Sequence, residues 1–160
     1  TKNMIDHLST IPNISLIVKP QTRSNKLHFS IPPNVYVAEH ENSINLVKWS
    51  DVVIVLYSSI MIEVLLQGKA YLYPKYMHKG KMIYENFGSG WKVNSLNELS
   101  EALITLSHNP SFRPYKKSNV ERFLNAVVYN GSLGSDVLEG YKQYVVGISK
   151  NSSNHIIGDI

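Results

Sequence analysis

Five consecutive apolar residues, Val52-Val53-Ile54-Val55-Leu56, form the clearest element in the chain. A strand with one wet face alternates apolar and polar positions. An unbroken run needs cover on both faces, which marks an interior strand of a parallel sheet flanked by helices. Shorter apolar runs occur at residues 14–18, closed by Lys19-Pro20, at 35–38 after Pro32-Pro33-Asn34, at 70–73 and at 90–93. Between them the apolar spacing becomes helical. Residues 2–9 carry Met4, Ile5 and Leu8 and stop at Pro12-Asn13; residues 43–49 carry Ile44, Leu46 and Val47 for burial, with Ser43 as N-cap. A further helix opens at Tyr57-Ser58-Ser59 and runs to Gln67, where Gly68 ends it. Another spans 96–107 behind Ser95 or Asn97, one more lies within 113–129, and a last one covers 135–148 with Val137, Leu138, Tyr141, Val145 and Ile148 turned inward. About five alternations of strand and helix with short connections predict an α/β fold, a parallel sheet with helices on both faces. Residues 1–149 read as one domain and 150–160 as a polar tail.

Composition narrows the function. At 160 residues, 43% hydrophobic and 18% charged, the chain suits one folded domain with a single core. The absence of cysteine removes disulfides, thiolate metal sites and cysteine nucleophiles, and leans towards a reducing compartment. No apolar run approaches the roughly 20 residues of a membrane span, and residues 1–10 hold no signal-peptide core, so a cytoplasmic protein is expected. The net charge of +4 suits an anionic ligand or an acidic membrane face. Basic residues are scattered, apart from Lys116-Lys117 and the Lys75, Lys79 and Lys81 group, and no nucleic-acid partner is expected. The six histidines lack metal-ligand spacing, so no metal site and no cofactor are expected.

In open parallel sheets, ligands sit at the carboxyl ends of the strands. Here those ends are the segments 19–23, 39–42, 57–60, 74–78 and 87–90. Ser58 and Ser59, on the turn into a helix, can cap backbone N–H groups or donate to a phosphate oxygen. Glu63 is the only charged residue between Asp51 and Lys69, and it misses the capping-box position three residues after either serine. An acid inside an apolar helix needs a donor partner. A ribose diol would serve; so would partial exposure, or pairing with Lys or Arg. Lys19 and Arg23 stand on a loop from which they can reach phosphate, though basic residues on such loops are usually solvated; His78 lies on a loop facing the same side, where histidines are more often bystanders. No serine–histidine–acid nucleophile set can be assembled.

The stretch "SDVVIVLYSSIMIEVLLQGKAYLYPKY", residues 50–76, resembles the C-terminal lobe of the GT-B superfamily. It is most similar to capsular-polysaccharide and teichoic-acid-type transferases and to UDP-N-acetylglucosamine 2-epimerases. Asp51, Ser58, Ser59, Glu63, Gly68 and Lys69 match the family run position by position. Upstream "NISLIVKPQTR" and downstream "NFGSGWKVNSLNELSEAL" resemble flanking family segments, so the resemblance covers about residues 11–106. It implies a Rossmann-like three-layer lobe that binds a nucleotide-diphosphate sugar, UDP-type favoured, or CDP-glycerol. Ser58 and Ser59 would hold the diphosphate, Glu63 the ribose, and the loop at Glu39-His40 would lie against the base. The catalytic base would come from a separate N-terminal lobe, and the parent enzyme, serving surface polysaccharide synthesis, would touch the inner membrane face peripherally. Gln21 stands where the family often has His, Thr22 where it has a second Pro, and Ala70 where it has Pro. In that lobe the first strand is central, whereas this chain begins in the helix after it. A gap between residues 14–18 and 52–56 is therefore expected. The competing readings are a non-catalytic regulatory or scaffolding module of the same fold, and an epimerase-like relative.

Overall fold

The computed structural model describes residues 1–20, 27–129, 131, 136–143 and 146. The chain runs α1 (Lys2–Leu8), β1 (Leu16–Val18), β2 (Val35–Val37), α2 (Ser43–Trp49), β3 (Val52–Ile54), α3 (Ile60–Leu66), β4 (Ala70–Pro74), β5 (Trp91–Val93), α4 (Leu96–His108) and α5 (Lys117–Val127). Two short 3-10 turns, Lys75–Met77 and Ile83–Asn86, fill the connection from β4 to β5. Every strand pairing is parallel, so the fold is α/β and Rossmann-like.

The strand β4 is buried at all five positions, and its alternation divides the core. Ala70 and Leu72 face one side, where they meet Leu8 of α1, Leu99, Ala102, Leu103 and Leu106 of α4, and Val93. Tyr71 and Tyr73 face the other, against Val47 of α2, Met61, Val64 and Leu65 of α3, and Phe123 and Leu124 of α5. The result is three layers, helices on both faces of a parallel sheet. Gly90, just before β5, exists because Tyr71 occupies the space above it: a Cβ there would lie 2.4 Å from the ring.

The helix α3 ends as its sequence demands. Gly68 takes a left-handed φ of 66°. The Gly68 N–H donates to the Leu65 carbonyl and the Lys69 N–H to the Val64 carbonyl, the paired bonds of a Schellman motif. Lys69 then reaches back, its Nζ 3.0 Å from the Lys48 carbonyl, and ties α2 to α3.

The sequence reading is met in one detail here and departed from in three. The five strands do not form one continuous sheet: β1 pairs with β2, and β3, β4 and β5 pair in that order. No pairing joins β1 to β3, although Leu16, Val52 and Ile54 pack against one hydrophobic cluster; this is the expected gap. The cap of α2 is Asn42, whose side chain accepts from the Ile44 N–H, and Ser43 is its first helical residue. Of the three residues expected to be buried, Val47 is buried, Leu46 is half-buried and Ile44 is 43% exposed. Residues 137–143 are helical, but Val137, Leu138 and Tyr141 are exposed rather than inward; Val145 and Ile148 lie outside the described residues.

Residues 52–56, expected as an interior strand, instead supply the edge strand of their sheet: β3 is half-buried at all three positions and β4 takes the interior place. The open edge of β3 can be read from its ladder. The Asp51 carbonyl accepts from Ala70 at 3.4 Å and the Val55 N–H donates to Leu72 at 3.2 Å, so odd-numbered positions face β4. With the alternation of a strand, the amides of Val52 and Ile54 point to the unpaired edge. Native-state hydrogen exchange should find those two amides at least about tenfold faster than Val53 and Val55. Equal protection at all four would mean that something covers the edge.

Candidate functional site

An open cavity of about 380 Å³ lies where α2 and α3 begin. It is lined by Ser43 and Ile44 on one side and by Ser58, Ser59, Ile60 and Glu63 on the other. The three residues singled out in the segment after β3 are thus brought to one surface. Ser58 is committed to the turn, its Oγ accepting from the Ile60 N–H at 3.3 Å. Ser59 occupies the N-cap position without a side-chain capping bond, which leaves its hydroxyl to the cavity. Glu63 is half-buried, and its Oε1 accepts from Gln67 Nε2 at 2.6 Å, one turn further along. Among the described residues no cation pairs with it, so the Lys or Arg partner weighed from the sequence is replaced by a neutral amide.

The other sequence candidates gather at the ends of β1 and β2. Lys19 Nζ donates to the Glu39 carbonyl at 2.8 Å, so this ammonium braces the loop. His40 is exposed, its Nε2 3.9 Å from the Glu39 carboxylate. The acid that organises the turn is Glu41, which accepts from the Tyr36 hydroxyl and, at 3.1 Å, from the His40 N–H. The Tyr36 hydroxyl, ahead of the backbone donors, draws the Glu41 carboxyl below its ordinary range. Glu39 and His40 do not line the cavity beside Ser58. Arg23 lies outside the described residues.

Past the end of β4 stands a polar network that pattern reading did not assemble. The Tyr73 hydroxyl donates to Glu85 Oε1 at 3.1 Å and also meets His78 Nε2. Among the described residues, His78 Nδ1 is buried without a hydrogen-bond partner. The same Oε1 accepts from Lys75 Nζ at 3.1 Å and from the Met82 N–H at 2.7 Å. Burial by itself would raise the Glu85 carboxyl; the Met82 N–H, Lys75 and Tyr73 together outweigh it and hold the group below its ordinary value. Tyr73 moves the opposite way, pushed up by burial and by the neighbouring Tyr84 and Glu85. Two signals for this cluster lay in the sequence. Glu85 is the only acid between Glu63 and Glu98, and Tyr71 and Tyr73 share one face of a buried strand. Among the described residues no group of acids and histidines is placed to hold a metal ion, and no helix is long and apolar enough to cross a membrane.

Comparison with models of protein families, with curated proteins and with solved structures found no match.

The Glu85 cluster should show in acid stability. A carboxyl whose folded pKa is depressed contributes stability above its unfolded value, near 4.3, and loses it as pH falls through the folded value. At pH 7 Glu85→Gln should cost about 1–2 kcal/mol, the worth of charged hydrogen bonds reduced by the partial exposure of Lys75. Thermal melting should find the gap between wild type and variant closing as pH falls below about 4.3. A gap of equal size at pH 7 and pH 2.5 contradicts this account.

Proposed function

We propose that this chain is the donor-binding lobe of a glycosyltransferase or related transferase and that it takes a nucleotide-diphosphate sugar at the strand ends. The observation that carries the reading is the meeting of Ser58, Ser59 and Glu63 on one cavity of about 380 Å³. Such a cavity is within the range that small-molecule sites occupy, roughly 300–1,000 Å³. The Ser59 hydroxyl supplies a hydrogen-bond donor to a diphosphate oxygen. Glu63 Oε1 is bonded to Gln67, and among the described residues Oε2 accepts no hydrogen bond, so it remains to accept from a ribose hydroxyl. Ile44 offers an apolar wall to the sugar ring of the nucleotide. Neutralisation of a departing diphosphate would then rest on hydroxyl and backbone donors, without a metal. The residue that activates the acceptor would belong to a second lobe closing over the first.

The test is calorimetric titration with UDP, CDP, GDP and ADP. Uridine diphosphate should bind best, in the high-micromolar to millimolar range, about −4 to −6 kcal/mol. Glu63→Gln keeps the bond to Gln67, so the melting temperature should hardly move. It should weaken nucleotide binding by about 1.5–3 kcal/mol, the worth of hydrogen bonds to a charged acceptor. A 2′,3′-dideoxy nucleotide should bind the wild type poorly and be indifferent to the substitution. Equal loss of both nucleotides in the variant, or binding of none of the four by folded protein, would overturn the reading.

A further inference from the structure

A second cavity, of about 350 Å³, opens beside β4 and β5, lined by Tyr73, Tyr84, Glu85, Lys81, Lys92 and the Gly88–Gly90 turn. It shares no lining residue with the cavity at Ser58. Its chemistry is mixed. On the inner wall Glu85 directs Oε1 to Tyr73, Lys75 and the Met82 N–H. All three donors converge on that one oxygen, and among the described residues Oε2 accepts from none. The Glu85 side chain keeps 13% of its surface exposed and lines the cavity, so Oε2 is the oxygen left for a ligand. At the rim stand two lysines, Lys81 from the loop and Lys92 from β5, both exposed. Among the described residues neither is in an ion pair. The Tyr73 and Tyr84 rings, 5.0 Å apart and nearly perpendicular, give the cavity an aromatic corner. Tyr84 is itself fixed by its hydroxyl, which donates to the Leu56 carbonyl at 3.2 Å. Gly90 cannot gain a side chain because of Tyr71, so the floor stays bare backbone.

We infer that this cavity is a binding site for a small hydroxyl-bearing anion of the sugar-phosphate class, its hydroxyls donating to Glu85 Oε2 and its anionic group held between Lys81 and Lys92. Each half of the ligand answers one half of the site. A carboxylate oxygen with open lone pairs recognises donors, and a polyol carries several on adjacent carbons. Two ammonium groups with no acidic partner recognise a phosphoryl group as point charges. The tyrosine edges pack on the carbon skeleton between them. A simple anion would satisfy the lysines and leave the carboxylate facing a like charge; a neutral sugar would satisfy the carboxylate and leave the lysines unused. The inference does not rest on nucleotide binding at the first cavity.

The experiment is titration of the folded chain with glucose 6-phosphate, followed by amide chemical shifts and calorimetry, with glucose, inorganic phosphate and methyl phosphate as separate arms. Glucose 6-phosphate should shift the amides of Gly88, Gly90 and Lys92, and each of the other three probes should bind at least about fivefold more weakly. Lys81→Gln combined with Lys92→Gln should weaken glucose 6-phosphate at least about tenfold. Lys79→Gln, a neighbour outside the cavity lining, serves as the charge control and should change the affinity less than twofold. Glu63→Gln should leave it unchanged. Methyl phosphate binding as tightly as glucose 6-phosphate would remove the role given to Glu85. A loss with Lys79→Gln equal to that of the double variant would show a general charge effect. Sensitivity to Glu63→Gln would mean that the ligand occupies the first cavity. Any of these three results overturns the inference, and a failure here leaves the uridine diphosphate titration to stand or fall separately.

Discussion

Burial of β4 on both faces is the constraint from which the rest of the structure follows. Five residues without a solvent-facing side chain, Ala70 to Pro74, must have cover above and below. The chain provides α1 and α4 on the Ala70–Leu72 face and α2, α3 and α5 on the Tyr71–Tyr73 face. Apolar burial is worth about 25 cal/mol per Å² removed from water, so the shared interior of two such faces outweighs any single polar contact at the surface. The neighbours of β4 are both parallel to it, and parallel neighbours are joined by crossover connections that leave from the strand ends. That is why both cavities lie in connections that follow a strand, the first after β3 and the second after β4.

The same constraint explains the polar network around Glu85. Tyr71 and Tyr73 bury large rings in the α2–α3–α5 face, but each brings a hydroxyl that needs a partner or carries a cost. Tyr73 finds Glu85 and His78 at the mouth of the sheet. Tyr84 packs edge-on against both rings, at 5.3 and 5.0 Å, and spends its hydroxyl on Leu56. Tyr71 is fully buried, and burial, followed by the neighbouring Tyr84 hydroxyl, pushes that phenol far up. One acid therefore organises the 3-10 turns between β4 and β5: the bonds from Tyr73, Lys75 and Met82 converge on a single carboxylate oxygen.

The relation between Glu63 and Gln67 shows how a local interaction can leave a group available. An acid in a helix made otherwise of Ile, Met, Val and Leu needs a donor, and the next turn supplies a neutral amide at 2.6 Å. The bond satisfies one oxygen without cancelling the charge. Lys69 lies two residues beyond Gln67, but it points away and is held by the Lys48 carbonyl. The basic residue nearest in sequence is thus engaged in joining two helices, and the Glu63 side chain is left to line the cavity.

The chain's own pattern determined the layered α/β class, the place of most elements and the end of α3. These depend on local periodicity and on glycine's access to positive φ, which neighbouring residues specify by themselves. Val52 to Leu56 required cover on both faces wherever the chain went, and Gly68 required a helix to end. Tertiary structure alone decided which polar groups met. Glu85 and Tyr73 are 12 residues apart, with Lys75 and Met82 between them, and no period links them; only the fold of the loop over the sheet end brings their atoms to one oxygen. In α2 the apolar spacing offered Ile44, Leu46 and Val47 alike, and only packing turned Val47 inward and left Ile44 on the cavity wall. The division into two sheets was likewise invisible locally, because apolar strands such as β1 and β3 carry no mark of which edge will pair. Strand edges are backbone, the same at every residue, and their partners are chosen by the packing of helices around them.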